Sequence, residues 1–170
     1  MFLKIVFIFF LCLNISYCYA SNIKNSAVVF MYHKFGVSKY PSTSVTIDQF
    51  DEHLNEFSKD KYSIESVEFI IDTIINDGVL PNNTIGITID DADKSFYEIG
   101  WPKFKSKEIP VTLFVNTSTI HENSKNYLSW SQIRQLRDEG VEIGAHSHNH
   151  YHMSDLSIDE VRKEIEISNN

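Results

Sequence analysis

A parallel α/β domain is the fold class that this sequence implies, on three observations. Four apolar runs are rich in Val, Ile and Phe and are continuous more than alternating: AVVFMYH (27–33), IGITIDD (85–91), VTLFVN (111–116) and VEIGAH (141–146). Such runs suit parallel strands covered on both faces. The last three begin at residues 85, 111 and 141, hence 26 and 30 residues apart, and each is followed by a helical segment. That is the rhythm of βα units. Capping signals open the segments between the runs, and glycine or proline closes several of them.

The first twenty residues, MFLKIVFIFFLCLNISYCYA, read as a separate unit. Lys4 precedes an apolar run, Ile5–Leu13, and small or polar residues lead on to Ala20. That is the shape of a secretory signal peptide (1–20) cleaved after Ala20. The run is short of the ~20 apolar residues that a membrane span needs, so no stable membrane insertion is expected after cleavage; an uncleaved anchor is the alternative. Residues 21–170 then form one domain. Cys12 and Cys18 are the chain's two cysteines and both fall in the leader. The mature chain is therefore expected to hold no disulfide, thiolate zinc site or cysteine nucleophile. Export without disulfides suits a bacterial periplasm, cell envelope or secreted location. The N-x-S/T matches at Asn82 and Asn116 then read as chance.

The helices follow in order. Thr46 and Gln49 make a capping box that opens a helix over about 47–58, with Ile47, Phe50, Leu54 and Phe57 on one side. SVEFIIDTIIN (66–76) is a second helix that stops at Gly78. A third covers about 94–106, before Pro110. Ser129 and Gln132 open a fourth, which ends at Gly140, and Ser157 and Glu160 open the last. Four strands do not close a barrel, which takes about eight. The sheet is therefore small and open, or it is the front part of a larger domain.

Composition narrows the function classes. With 170 residues, 42% hydrophobic and 13% aromatic, the chain can bury one proper core. A formal charge of −8 argues against nucleic acid, whose phosphates ask for a basic patch. The charge otherwise reads as ordinary solubility, and the oligomeric state is not legible.

In parallel α/β folds, chemistry gathers at the carboxyl ends of the strands. The first run ends in Tyr32-His33, the second in Asp90-Asp91, and the fourth in His146 followed by His148, His150 and His152. Asn116-Thr117, after the third, is less distinctive. Adjacent carboxylates repel, and burying both is costly without a cation. A divalent ion could hold one and leave the other as a base; the simpler reading of the pair alone is that Asp91 or Asp93 caps the helix starting near Lys94. Two imidazoles four residues apart can converge on one ion and, with Asp91, leave a fourth position open, as hydrolytic zinc centres require. A His-rich polar loop explains the histidines equally well.

Together these segments resemble the polysaccharide deacetylases, the NodB-homology group or carbohydrate esterase family 4. TIDDADKSF (88–96) resembles the family's T-F-D-D-G motif, and HSHNH (146–150) its H-[S/T]-x-x-H motif. VVFMYHKF (28–35) is similar to the opening M-Y-H strand of the poly-N-acetylglucosamine deacetylase branch. The resemblance runs over roughly 27–165. It implies a NodB-type distorted (β/α) barrel, of which this chain holds the N-terminal part, about four parallel strands with helices. It also implies a hydrolase that removes acetyl groups from N-acetylglucosamine-type polysaccharide or oligosaccharide. By the same resemblance Asp90 is the catalytic base and Asp91, His146 and His150 hold a divalent metal, Zn2+ first, with Ni2+, Co2+ or Fe2+ as alternatives. Ser147 takes the small hydroxyl position, and His33 faces the substrate groove or is a strand-end histidine satisfied by backbone. His148 and His152 fall at variable positions and are expected to be exposed.

The chain also departs from the family. Ile89 stands for the usual Phe, and Ala92 for the usual Gly, tolerable only if its backbone avoids φ > 0. The later arginine, aspartate–tryptophan and histidine motifs, the last supplying the acid for the leaving amine, have no counterpart after His152. The domain is thus expected to be incomplete at its C-terminus. The alternative function is an inactive metal- or glycan-binding fragment of such an enzyme; a third is an exported α/β domain whose histidines do nothing.

Overall fold

The computed structural model describes residues 25–122 and 124–169. The leader expected at 1–20 lies outside them. Among the described residues no helix is long and apolar enough to cross a membrane.

The fold is α/β, built on a parallel sheet. Its long strands are β1 (Ala27–Tyr32), β5 (Thr84–Ile89), β6 (Thr112–Val115) and β7 (Glu142–Ala145), hydrogen-bonded side by side in that order. Between β1 and β5 come a short pair, β2 (Lys34–Phe35) with β3 (Ser44–Val45), then α1 (Ile47–Phe57), β4 (Ser63–Ile64) and α2 (Val67–Ile75). β4 adds two residues against the start of β5, and β6 pairs with its end. These short strands had no signal in the sequence: two residues are too few to show periodicity.

The helices begin where the capping residues stand. Thr46–Gln49 and Ser129–Gln132 form reciprocal capping boxes at α1 and at α5 (Trp130–Asp138); Ser157–Glu160 does so at α6 (Ile158–Ser168). A short α4 (Thr117–His121) follows β6 directly. The helix expected over 94–106 begins at Lys94 and Ser95 but is interrupted: Phe96–Gly100 is π-helical, with Trp101 N–H donating to the Phe96 carbonyl, and α-helix resumes as α3 (Trp101–Ser106). Pro102 explains this, because it has no N–H to continue the i→i−4 ladder.

The core lies between the sheet and the helices α1, α3 and α5. Ile85, Ile87 and Ile89 of β5 meet Phe50, Leu54 and Phe57 of α1, and Phe104 of α3. Phe50 stacks edge-on between Phe35 and Phe104, with ring centroids 4.7 and 4.9 Å away. Burying each such ring stabilises by about 1.5–3 kcal/mol.

Burial on both faces, expected of all four runs, holds for two. All six residues of β5 are buried and β6 is nearly so, whereas Val28–Met31 of β1 are exposed and β7 alternates. The reason is position. β5 and β6 have neighbours on both edges, while β1 and β7 end the sheet among the described residues.

Register then sets the rim. Tyr32 lies beside Ile89, and Asp90 N–H donates to the Tyr32 carbonyl at 2.8 Å. Ala145 lies beside Val115, and His146 N–H donates to the Val115 carbonyl at 2.9 Å. The residues that follow β1, β5, β6 and β7 therefore emerge together at one end of the sheet.

Candidate metal centre

Beyond Ile89 the chain turns sharply. Asp91 and Ala92 have φ of 70° and 55°, and Ser147 and His150 have 61° and 59°. Four of the seven described non-glycine residues with positive φ thus lie in these two short segments. Strain of this kind persists only where the surroundings over-determine it, and it concentrates at functional sites. The condition set for Ala92 fails: it occupies the left-handed region after all. Its side chain is fully buried, and its carbonyl accepts from Leu128 N–H at 3.0 Å. Packing on every side holds a conformation that costs roughly 1–2 kcal/mol in an L-residue.

Helix capping is the work of Asp93, not Asp91. Asp93 Oδ1 accepts from Ser95 N–H at 2.9 Å and from Ser95 Oγ at 2.6 Å, and Lys34 Nζ lies 3.7 Å from its Oδ2. That leaves Asp91 without a capping duty. Its Oδ1 is buried and has no hydrogen-bond partner in the protein. An orphaned buried carboxylate oxygen is costly, and some group of positive character is needed beside it.

Two imidazoles supply the rest of the cluster. His146 Nε2 is 3.6 Å and His150 Nε2 3.4 Å from Asp91 Oδ1, and the two nitrogens are 3.0 Å apart. Tetrahedral zinc with bonds of ~2.0–2.2 Å separates its ligands by about 3.3 Å. One oxygen and two nitrogens at 3.0–3.6 Å fit a single cation of that size. Asp91, His146 and His150 are thus a group that could hold a metal ion.

Asp90 is buried beside this cluster, its Oδ2 3.9 Å from His146 Nε2. Burial pushes its carboxyl above the ordinary carboxylate range; the charges of His146 and His33 pull it back, and Asp91 pushes it up again. His33, half-buried after β1, is therefore near enough to act on Asp90. The structure brings together Asp90, Asp91, His146 and His150, with His33 at their margin. His152 is exposed, as expected, but His148 is not: it is half-buried and its Nδ1 meets Thr117 Oγ1 at 2.8 Å. Ser147 Oγ accepts from His150 N–H at 3.1 Å and so shapes the turn between the two imidazoles.

Sequence reasoning passed over Thr117 as less distinctive and missed Glu164. Thr117, at the start of α4, holds the His148 ring. Glu164, on α6, is buried and accepts the backbone N–H groups of His148 and Asn149 at 3.2 and 2.7 Å. Neither carries a motif, and a glutamate within a charged helix reads as solvated.

Fold and cluster define a class: a parallel α/β protein with a candidate Asp–His–His centre at the carboxyl rim of its sheet. Comparison with known proteins supplies the family. Residues 77–170, just over half of the chain, match the family model described as Polysaccharide deacetylase, so the chain belongs to that family. A poly-beta-1,6-N-acetyl-D-glucosamine N-deacetylase of Staphylococcus aureus (strain MRSA252) is 25% identical over 149 residues, which are 85% of this chain and 50% of that protein. The chain thus spans about half the length of the curated relatives it matches. Among solved structures, the Streptococcus pyogenes deacetylase PplD in complex with acetate aligns with a TM-score of 0.75 at 23% identity, covering 84% of this chain and 65% of that one. IcaB from Ammonifex degensii aligns with a TM-score of 0.67 at 22% identity, covering 84% and 64%. At these identities the structural likeness speaks for the fold, which is that of the NodB-type deacetylases. The resemblance read from TIDDADKSF and HSHNH is borne out at the level of the family.

Proposed function

We propose that this chain forms the metal-binding part of a hydrolase that removes acetyl groups from N-acetylglucosamine polymers, poly-β-1,6-N-acetylglucosamine foremost. One observation carries the reading: Asp91 Oδ1, buried and without a hydrogen-bond partner, faces two imidazole nitrogens at 3.4 and 3.6 Å. Asp91, His146 and His150 would hold the divalent cation, with Zn2+ the first expectation and Ni2+, Co2+ or Fe2+ the alternatives. Such an ion supplies Lewis-acid polarisation of the acetyl carbonyl and a lowered pKa for water.

The chain's own residues do the remainder. Asp90 is the base: it accepts a proton from the water that attacks the amide carbon. Its burial suits that role, because desolvation makes a carboxylate a better proton acceptor. His33 borders the groove and, when charged, favours the ionised form of Asp90. Domain 21–170 and a cleaved leader at 1–20, directing the protein to the periplasm, envelope or exterior, complete the proposal; nothing basic enough for nucleic acid is part of it.

The test is acetate release from an N-acetylglucosamine oligomer by the full chain. Release that disappears on Asp90→Asn and on chelation supports the reading; release that survives both overturns it. The second reading is metal or glycan binding without turnover, since Asp91, His146 and His150 could hold an ion whether or not acetate is released. Zn2+ uptake with no acetate release would select it.

A further inference from the structure

The segment His146–His150 presents both imidazoles, yet it lies in no regular element. β7 ends at Ala145, and the 3-10 turn at Met153–Asp155 begins three residues past His150. What fixes its shape is a set of polar contacts from two helices. On one side, Thr117 N–H donates to the Ser147 carbonyl at 3.3 Å and Ser118 N–H to the His148 carbonyl at 3.0 Å, both from the first turn of α4. On the other, Glu164 reaches in from α6. Its Oε2 accepts the His148 and Asn149 backbone N–H groups, and its Oε1 accepts Asn149 Nδ2 at 2.6 Å.

The Glu164 arrangement is an inversion of ordinary helix packing. α6 buries this carboxylate, 6% exposed, and leaves Ile158, Ile165 and Ile167 exposed at 72, 48 and 36%. Burying a charge is costly unless hydrogen bonds compensate it, and here three donors do so. The left-handed Ser147 sets up the donors, because a turn of that kind points successive N–H groups into one concavity that takes an anion. Burial alone would raise the Glu164 carboxyl, but hydrogen bonds from the Asn149 backbone, the Asn149 side chain and the His148 backbone outweigh it. They hold it below the ordinary carboxylate range, so it is an anion at neutral pH.

We propose that Glu164 is a positioning residue for the candidate metal centre: by binding the backbone amides of His148 and Asn149 it sets the loop that aims His146 and His150 at one cation. This rests on the reading of Asp91, His146 and His150 as metal ligands. Glu164 acts through two of the three residues between the imidazoles, His148 and Asn149. Outer contacts of this kind change metal affinity or activity by about 10–100-fold when removed.

The test is Co2+ titration of the chelator-treated full chain, followed by the visible absorption of the bound ion, with circular dichroism at the same temperature to establish folding. Glu164→Ala, folded, is expected to bind Co2+ about 10–100-fold more weakly than wild type. Glu164→Gln keeps an acceptor oxygen toward the amides and is expected to fall between the two. A folded Glu164→Ala with wild-type affinity overturns the proposal, as does a Glu164→Gln no better than Ala. If Glu164→Ala does not fold, Glu164→Asp decides: its carboxylate is one methylene short, so binding weaker by roughly tenfold supports the proposal and wild-type binding overturns it. The two readings fail differently. Wild type that takes up no Co2+ sinks the metal centre itself, whereas uptake indifferent to residue 164 sinks only the role of Glu164.

Discussion

The two halves of the candidate centre are built by opposite means. The carboxylate half, Asp90 to Asp93, is set in the core: Asp90, Ala92 and Asp93 are buried and the strand before them is the most enclosed in the sheet. The imidazole half is a half-exposed loop after an edge strand, with the His146 and His150 side chains 30 and 51% exposed. Hydrophobic packing fixes the first; hydrogen bonds from α4 and α6 fix the second. Disturbing the packing beneath the carboxylate half should therefore cost fold stability. Disturbing the imidazole half should cost metal affinity and leave the fold standing.

The largest expected effect breaks the comparison at its core side. Phe50→Ala empties the centre of the cluster formed with Phe35 and Phe104, and should lower unfolding free energy by about 3–5 kcal/mol in a denaturant titration. A change under about 1 kcal/mol would mean that the core does not hold the carboxylate half. Asp91→Asn comes next. It removes the charge but suits the left-handed backbone, and the oxygen it alters has no partner to lose. Zn2+ affinity should fall at least about 100-fold while the melting temperature of the metal-free chain holds or rises. A large drop in that melting temperature would show that Asp91 has a structural partner.

Smaller effects sharpen the imidazole side. Thr117→Val deprives His148 Nδ1 of its hydroxyl partner but keeps the backbone donors of α4. Co2+ binding should weaken by about tenfold at most, with unchanged circular dichroism. The smallest effect belongs to neither half. Hydrogen bonds from Trp101, Gln135 and Lys105 hold the Glu139 carboxyl at about 2, below its usual 4.5. A lowered folded-state pKa contributes stability above the unfolded value and loses it as pH falls. Glu139→Gln should therefore melt a degree or two lower at neutral pH, roughly, given solvent screening. The difference should vanish as pH falls from 4.5 toward 2.

Legibility in the sequence followed the same division. The long strands and capped helices were readable because runs of Ile, Val and Phe and reciprocal Ser/Thr–Gln/Glu pairs are local signals. Asp91, His146 and His150 were readable as residue types at strand ends, and the family likeness joined them. What was not readable is what distant segments decide. Nothing local says that Asp93 rather than Asp91 caps the helix, because that turns on where Ser95 points. Ala92 looked excluded from positive φ, since the packing that holds it comes from Leu128 and its neighbours. Glu164 was invisible, because a buried glutamate differs from a solvated one only by what faces it. The exposure of β1 was hidden as well, since a continuous apolar run does not say whether its strand lies at the centre of a sheet or at its edge.

The most direct measurement is calorimetric titration of Zn2+ into the chelator-treated full chain and into Asp91→Asn and His150→Ala. One ion bound per wild-type chain, and binding lost in both variants while they remain folded, is the predicted result. Wild-type binding retained in either variant would contradict a shared centre.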